Sequence, residues 1–430
     1  MTTPSVGLGV AFGDALRFWL RLGFINFGGP AGQIAIMHRE LVERRGWVTE
    51  ERFLRALNFC MVLPGPEAQQ LATYIGWWLH GWRGGVVAGS FFVLPSVALL
   101  LFLSWLAVAQ AEVLVVAGLL YGVQPVVIAI VAEAVLRIGR RALQRRALLP
   151  FAALAFVALY FGRVPFPIVV GVAAAAGFLL SRVRQDLLGV AGQVAPAQTA
   201  VRYPSPWRAL RIACIFLALW TVPVGVLWAW RGGDSVLMQE ALFFTQAAFV
   251  TFGGAYAVLT YVAQVAVEQY GWLDPQQMVR GLALAETTPG PLIMVLQYVG
   301  FLGAWRIPGD LSPLTSAILG GLTTTYVTFL PSFLFIFVGA PYIEALAANR
   351  SLQGALAAVT AAVVGVILNL AVFLALEVLL PSAGAPDQYA TVVALGAFLL
   401  LWWRRWSVAG VVGLGAGLGV VWEVLGRAVA

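Results

Sequence analysis

Long apolar stretches, separated by short polar or basic segments, make up most of this chain. Six of them reach or approach the roughly 17–25 residues that an α-helix needs to cross the hydrocarbon layer of a bilayer. They are residues 86–106, 114–136, 148–161, 168–180, 212–230 and 317–340. Within lipid every backbone polar group must be bonded inside the protein, and these stretches lack the alternation of barrel strands. The pattern predicts an all-α polytopic membrane protein with about 10–14 membrane elements.

The composition supports this fold class and narrows the set of partners. Of the 430 residues, 61% are hydrophobic and only 10% are charged, and the mean hydropathy is +0.89. These values exclude a soluble globular protein. The net charge of +7 is carried by arginine alone, since the sequence contains no lysine. In a membrane protein a basic balance reflects the orientation of loops, so we expect contact with the lipid bilayer and no nucleic acid.

Two short motifs occur in the first half of the chain and return in the second half. Asn26-Phe-Gly-Gly-Pro30 is followed by Leu63-Pro-Gly-Pro66, and the later pair reads Thr251-Phe-Gly-Gly254 and Thr288-Pro-Gly-Pro291. Both pairs are related by the same offset of 225 residues, without a gap. The chain is therefore interpreted as a duplicated unit, and such a repeat sets the fold.

A third repeated motif locates an insertion in the second copy. Leu94-Pro-Ser96 corresponds to Leu330-Pro-Ser332 at an offset of 236 instead of 225, which indicates eleven additional residues. We expect them around residues 306–313. The predicted domains are residues 1–206, the first repeat with a cytoplasmic linker; 207–234, a connecting transmembrane helix; and 235–430, the second, inverted repeat.

The two repeats are predicted to have opposite orientations in the membrane. If each copy crosses an even number of times, the additional helix at 207–230 inverts the second copy. The arginine-rich segment 137–146 is expected in the cytoplasm, whereas the corresponding loop of the second copy contains Glu377 and Asp387 and no basic residue. Inverted repeats with discontinuous helices are typical of secondary transporters, whose substrate site lies between the repeats.

The helix breaks fall at matching positions in the two copies. Thr49 is predicted to cap a helix that ends before Pro64-Gly-Pro66. A second helix is expected to start at Glu67 and to end near His80. Because neither helix is long enough to cross the bilayer alone, residues 49–81 form either one discontinuous span or a re-entrant hairpin.

Helices that begin inside the membrane present free N–H groups and a positive dipole end, which favour an anion. Proline in the first turn loses no hydrogen bond, and glycine allows a ligand to approach the backbone. Glycine and proline also occur as simple kinks and packing positions, but repetition at one offset favours a site. The candidate substrate-binding residues are Asn26, Gly28, Gly29, Gln33, Gly65, Pro66, Gln69, Gln70, Thr251, Gly253, Gly254, Thr287, Thr288, Gly290, Pro291 and Gln297.

Charged residues near the breaks suggest additional roles. Glu67 and Glu286 lie where an ionised carboxylate is costly, so both are proton-coupling candidates. Glu67 could occupy the anion site when ionised and leave it when protonated; alternatively, it only caps its own helix. Arg39, Arg83 and Arg306 are candidates for attracting a dianion at the cavity mouths, although arginines that reach for the membrane interface have the same pattern.

Several chemistries find no support in the sequence. The only histidines, His38 and His80, are too few for a haem or metal site, and Cys60 and Cys214 lie in apolar surroundings. We expect no cofactor. The absence of a nucleotide-binding loop means that an ATP-driven pump would need a separate partner, and no catalytic constellation indicates an enzyme. We expect no cleavable signal peptide, because charged residues from Asp14 onward interrupt the first apolar stretch.

The combined motifs resemble the chromate ion transporter (CHR) family in its long, two-domain form. They are Phe27-Gly-Gly-Pro30, Glu43-Arg-Arg-Gly-Trp47, Leu63-Pro-Gly-Pro66 with Gln70, Tyr74-Ile-Gly76 and Leu94-Pro-Ser96, each with a counterpart in the second half. The resemblance covers nearly the whole chain. It implies a multi-pass transporter of the inner (plasma) membrane, a secondary active exporter or antiporter that confers chromate resistance and is driven by the membrane potential or proton gradient.

The second copy departs from this pattern, and the substrate stays open. Ala255 replaces Pro30 and Gln264 replaces Arg39, so the halves are not expected to contribute equally to binding. Chromate is a tetrahedral dianion close to sulfate in size and charge, and these residues specify only an oxyanion. The alternatives are a transporter of sulfate or another oxyanion, and a membrane assembly subunit without transport activity. An oligomer is compatible with the sequence.

Overall fold

The computed structural model describes residues 9–110, 113–183, 205–252, 254–343, 349–381 and 386–429. Within these ranges every regular element is a helix, which confirms the predicted all-α class. In the described part of the chain, seven helices are long and apolar enough to cross a membrane, and four shorter apolar helices accompany them. These eleven helices fall within the predicted range of membrane elements. The chain is a multi-pass membrane protein.

The described helices follow one another in the order of the two repeats. In the first part they are α1 (Phe12–Ile25), α2 (Gly29–His38), α3 (Glu50–Cys60), α4 (Glu67–Ala109), α5 (Leu114–Ala142), α6 (Leu149–Tyr160) and α7 (Phe166–Val183). The connecting helix is α8 (Pro206–Arg231). The second part contains α9 (Val236–Val250), α10 (Ala255–Ala263), α11 (Pro275–Thr287), α12 (Val295–Arg306), α13 (Pro313–Gly339), α14 (Arg350–Leu379), α15 (Gln388–Trp402) and α16 (Val408–Val429).

The two copies correspond in backbone detail as well as in sequence. A short π-helix continues α2 at Arg39–Arg44, and a second one continues α10 at Gln264–Gln269, at the same offset of 225 residues. The Thr49 hydroxyl caps α3 as predicted, and Asp274 caps α11 at the equivalent position. Capping side chains satisfy N–H groups that the first turn leaves free. Both copies therefore begin this helix in the same way.

The discontinuous helices are also present. Between α1 and α2 the backbone passes through Gly28 and Gly29, whose φ angles of +91° and +65° interrupt the helix. The Pro64-Gly-Pro66 turn separates α3 from α4, and Thr288-Pro-Gly-Pro291 separates α11 from a 3₁₀ turn that leads into α12. Prolines lack the N–H that would continue the helix.

The helix that starts at Glu67 ends at His80, as predicted, because His80 and Gly81 have non-helical angles inside α4. The chain then turns back on itself. Gly76 and Gly84 lie so close that a Cβ on either would overlap the carbonyl oxygen of the other. Only glycine allows two backbones to approach in this way.

The same glycine contact recurs in the second copy, with a longer connection. Gly300 of α12 faces Gly320 of α13, where a Cβ would lie 2.5 Å from the Gly300 carbonyl oxygen. Here, however, α12 ends at Arg306 and α13 begins only at Pro313. The loop between them accounts for additional residues where the sequence predicted an insertion.

Candidate functional site

The broken helices of the two halves meet through two backbone hydrogen bonds. The Gly65 N–H donates to the Thr251 carbonyl oxygen at 2.7 Å, and the Gly290 N–H donates to the Asn26 carbonyl oxygen at 2.9 Å. Asn26 corresponds to Thr251 and Gly65 to Gly290 in the repeat. Each half thus supplies the same donor and the same acceptor, as units related by a two-fold axis do. The Pro-Gly-Pro turn of each half lies against the Gly-Gly break of the other.

The two central glycines leave no room for a side chain. Gly65 and Gly290 have φ angles of +122° and +114°. A Cβ on Gly65 would lie 2.7 Å from the Ser332 hydroxyl oxygen, and one on Gly290 would lie 2.6 Å from the Cβ of Ser96. Ser96 and Ser332 are equivalent positions of the two copies. Sequence analysis missed them as site residues, although the repeated Leu-Pro-Ser motif was the signal that could have identified them.

The amide side chains of the first half surround these turns. The Gln33 Nε2 donates to the Gly290 carbonyl oxygen at 2.5 Å, and the Gln70 Nε2 donates to the Pro64 carbonyl oxygen at 2.7 Å. Asn26 is fully buried, and neither its side-chain nitrogen nor its oxygen has a hydrogen-bond partner. An unpaired buried amide is costly, which makes Asn26 a candidate ligand-binding group.

Two donors without partners adjoin Gly290. The first is the side-chain amide of Asn26, whose backbone carbonyl accepts the hydrogen bond from the Gly290 N–H. The second is the buried Ser96 hydroxyl, which lies 2.9 Å from the position of a Cβ on Gly290 and has no partner. Gln69 on the first turn of α4 donates to the Thr73 hydroxyl at 3.1 Å, which leaves its own carbonyl oxygen unpaired. The Asn26 amide and the Ser96 hydroxyl are neutral donors that suit an oxyanion, whereas the unpaired Gln69 oxygen is an acceptor.

The predicted threonines and Gln297 are engaged within the protein. Thr251, Thr287 and Thr288 each donate their hydroxyl proton to a carbonyl oxygen of the preceding helical turn. The Gln297 Nε2 donates to the Val97 carbonyl oxygen at 2.9 Å, and its Oε1 accepts from Thr325 at 2.9 Å. In this conformation these four side chains stabilise helix packing, and the three threonine hydroxyls offer no free donor. Their assignment as binding residues stays a prediction.

The glycines and prolines of the breaks differ in exposure. Gly28 is exposed and Gly29 is half-buried, whereas Pro66 and Pro291 are buried at the starts of their helical turns. Gly253 lies outside the described residues.

Both candidate carboxylates approach the start of α10. A Cβ on Gly254, the residue before α10, would lie 3.6 and 3.8 Å from the two carboxylate oxygens of Glu67. The Tyr256 hydroxyl, in the first turn of α10, donates to the buried Glu286 carboxylate at 2.5 Å. Acidic side chains from both Pro-Gly-Pro regions thus contact residues at the start of α10, Glu67 beside Gly254 and Glu286 at the Tyr256 hydroxyl. Tyr256 was not identified from the sequence, because the first copy has Ala31 in its place.

The three candidate arginines occupy exposed positions and not the breaks. Arg39 is exposed at the start of its π-helix, and the Arg83 guanidinium lies 5.5 Å from the Trp82 ring. Arg306 donates to the Gly271 carbonyl oxygen at 3.2 Å. It also lines a cavity of about 390 Å³, together with Val108, Trp272, Gln277, Leu302 and Trp305. Among the described residues no group of three His, Cys, Asp or Glu side chains could hold a metal ion.

Comparison with known proteins gives one consistent family. A family model described as chromate transporter matches residues 13–178 and 238–420. The chromate transport protein of Pseudomonas aeruginosa is 33% identical over 421 residues, which cover 97% of this chain and 94% of that protein. A probable chromate transport protein of Synechococcus elongatus is 29% identical over 359 residues, 83% of each chain. The chromate transport protein of Cupriavidus metallidurans is 27% identical over 360 residues, 84% of this chain and 82% of its own. No solved structure matches.

Proposed function

The chain belongs to the chromate transporter family, and we propose that it is a secondary active transporter that exports chromate across the inner membrane and thereby confers chromate resistance. One observation carries the proposal. The Pro-Gly-Pro turn of each half contacts the Gly-Gly break of the other through Gly65 and Gly290. Secondary transporters bind their substrates where discontinuous helices of two repeats meet.

The chemistry of the contact region suits a tetrahedral dianion. Pro66 is the N-cap residue of α4, whose first-turn N–H groups have no partner within the helix and whose dipole is positive at this end. The Asn26 amide and the Ser96 hydroxyl add buried donors that have no protein partner. These groups include no positively charged side chain. An anion is therefore bound only by dipoles and can dissociate readily. Sulfate has the same shape and charge, and it is the alternative substrate.

The carboxylates give the proposed transport a means of coupling to protons. Glu67 lies beside Gly254 at the N-terminus of α4, where an ionised carboxylate competes with the anion for the same dipole. Glu286 accepts a hydrogen bond from Tyr256 at the neighbouring turn. The first copy has Met61 in place of Glu286, and the second has Leu292 in place of Glu67. We infer that the halves bind alike but handle protons differently, while Arg39, Arg83 and Arg306 attract the dianion from outside.

The proposal is tested by uptake of labelled chromate into inverted membrane vesicles that contain the protein. Energised vesicles should accumulate chromate, and an uncoupler should abolish the accumulation. A tenfold excess of sulfate should reduce it by no more than about half if about 1.4 kcal/mol or more separates the two affinities. Strong competition by sulfate, together with uptake of labelled sulfate, would identify sulfate as the substrate. Vesicles that accumulate neither anion would indicate a membrane subunit without transport activity.

A further inference from the structure

Glu240 of α9 is a buried acid that the proposed substrate site does not use. Its side chain is fully buried, and neither carboxylate oxygen has a hydrogen-bond partner. No ion pair to it occurs among the described residues. The first repeat has Ala15, also buried, at the equivalent position. The acid is therefore not needed to build this part of the fold.

The carboxylate lies between two glycines of the neighbouring helices. A Cβ on Gly303 of α12 would be 2.8 Å from the Glu240 Oε1, and a Cβ on Gly320 of α13 would be 2.8 Å from its Oε2. Metal cations in proteins need several oxygen ligands around them, and these contacts leave no such space. A proton is the cation that fits, because it adds no volume.

The helices packed against α9 are α8, α10, α12 and α13. Their titratable or charged groups are Arg208, Arg211, Cys214 and Arg231 on α8, Tyr256 and Tyr261 on α10, Tyr298 and Arg306 on α12, and Tyr326 on α13. Tyr270 precedes the nearby Trp272. None of these groups forms a hydrogen bond or an ion pair with Glu240. An ionised carboxylate without compensation in such surroundings is strongly unfavourable.

Trp272 links the surroundings of this buried acid to an open cavity. The position of a Cβ on Gly303 is 2.8 Å from the Glu240 Oε1 and 3.0 Å from Cγ of Trp272. Trp272 also lines the cavity of about 390 Å³ that contains Gln277 and Arg306. Trp272 thus belongs both to the lining of the cavity and to the surroundings of Glu240. A movement of this ring would give water access to the carboxyl group.

We propose that Glu240 binds a proton between α9, α12 and α13 and exchanges it through the cavity lined by Trp272 and Arg306. In the conformation described here the acid is protonated. Ionisation requires water to reach it from the cavity, and therefore a movement of the Trp272 ring. The use of this proton in transport rests on the proposed function, whereas its binding does not.

The binding step can be tested by infrared spectroscopy of the purified protein at a series of pH values. The wild type should show the carbonyl-stretching band of a protonated carboxylic acid, and Glu240→Gln should lose the intensity of one carboxyl group. Glu51→Gln, on an exposed part of α3, should retain the full band. Glu240→Ala, which introduces the residue of the first repeat, serves if the glutamine variant does not fold. A folded variant of either kind with undiminished band intensity would overturn the proposal.

The coupling step is tested in proteoliposomes that contain a pH-sensitive dye. A chromate gradient should move protons through the wild type, and Glu240→Gln should lower the number of protons moved per chromate. An unchanged ratio would refute a role in coupling. If the wild type moves no chromate, the proposed function fails, and the infrared band still decides whether Glu240 binds a proton.

Discussion

At the scale of single residues, the proposed site combines neutral donors with few charges. The Asn26 amide and the Ser96 hydroxyl are buried without partners, while Glu67 is the acidic side chain beside Gly254. Neutral donors can bind an anion and leave no fixed charge inside the membrane when it departs. The protonation state of the Glu67 carboxyl group then determines when the anion is bound.

Glutamine at position 67 cannot ionise, so it can neither compete with the substrate nor couple substrate release to a proton. We expect Glu67→Gln to lower proton-driven chromate uptake at least about tenfold, which corresponds to about 1.4 kcal/mol, and to flatten its dependence on pH. Labelled uptake in inverted vesicles at several pH values measures both effects. Glu51→Gln, on an exposed surface, is the control. A wild-type pH profile in Glu67→Gln would contradict the assigned role.

The central glycines should tolerate no side chain. Gly290→Ala combines a φ of +114°, unfavourable for alanine, with a Cβ 2.6 Å from Ser96. Backbone strain of this kind costs about 1–3 kcal/mol, so the variant should unfold at a lower temperature. Gly225→Ala is the matched control, because nothing lies within 4 Å of its Cβ position in α8. The unfolding temperatures of the two variants can be measured by tryptophan fluorescence. Equal midpoints would show that the Thr288-Pro-Gly-Pro291 turn has more space than the structure indicates.

At the scale of helices, close glycine contacts hold the two halves together. Gly118 and Gly122 of α5 face Gly415 and Gly419 of α16, and both pairs have the Gly-x-x-x-Gly spacing. A Cβ on Gly419 would lie 2.5 Å from Cα of Gly122. Small residues allow helices to associate in lipid, where apolar side chains gain nothing from leaving the solvent.

The two faces of α16 should therefore respond in opposite ways to the same substitution. Gly419→Ala should separate α16 from α5 and destabilise the protein by about 1–3 kcal/mol, as overpacking does. Gly417→Ala, on the exposed face with no atom within 4 Å, should be neutral or stabilise by about 0.5–1 kcal/mol. Both are measured by unfolding in the same detergent. A Gly419→Ala variant as stable as Gly417→Ala would exclude a tight interface.

At the scale of the whole molecule, the bonds of Gly65 and Gly290 are reciprocal, as expected if a two-fold axis relates the two repeats. We propose that this axis lies in the plane of the membrane, so that residues 1–206 and 235–430 form oppositely oriented units joined by the crossing at 207–234. The arginine-rich end of α5 and the acidic Glu377 and Asp387 of the second half support this arrangement.

Orientation can be measured with one pair of equivalent residues. Glu43 and Glu268 are both exposed and correspond at an offset of 225. In a background with Cys60 and Cys214 replaced by alanine, Glu43→Cys and Glu268→Cys should react with a membrane-impermeant maleimide from opposite sides. Intact cells and inverted vesicles provide the two sides. Labelling of both cysteines from the same side would show that the repeats are parallel.

Sequence alone determined the helical membrane class, the duplication and the location of each break. Hydropathy over a helix length, the Thr49 cap and the Pro64-Gly-Pro66 interruption are properties of neighbouring residues, because they depend on local hydrogen bonding and transfer to lipid. The resemblance of the motifs to chromate transporters was also visible at this level and is confirmed by the family match.

Only the tertiary structure decided which break faces which, and which polar groups have partners. Thr251 was expected to bind substrate, yet its hydroxyl donates to its own helix, while Ser96 and Tyr256 acquire importance through residues far away in sequence. The burial of Glu240 against two glycines is of the same kind. Such contacts arise when helices pack on one another. The sequence pattern along a single helix does not specify which neighbouring helix it will contact.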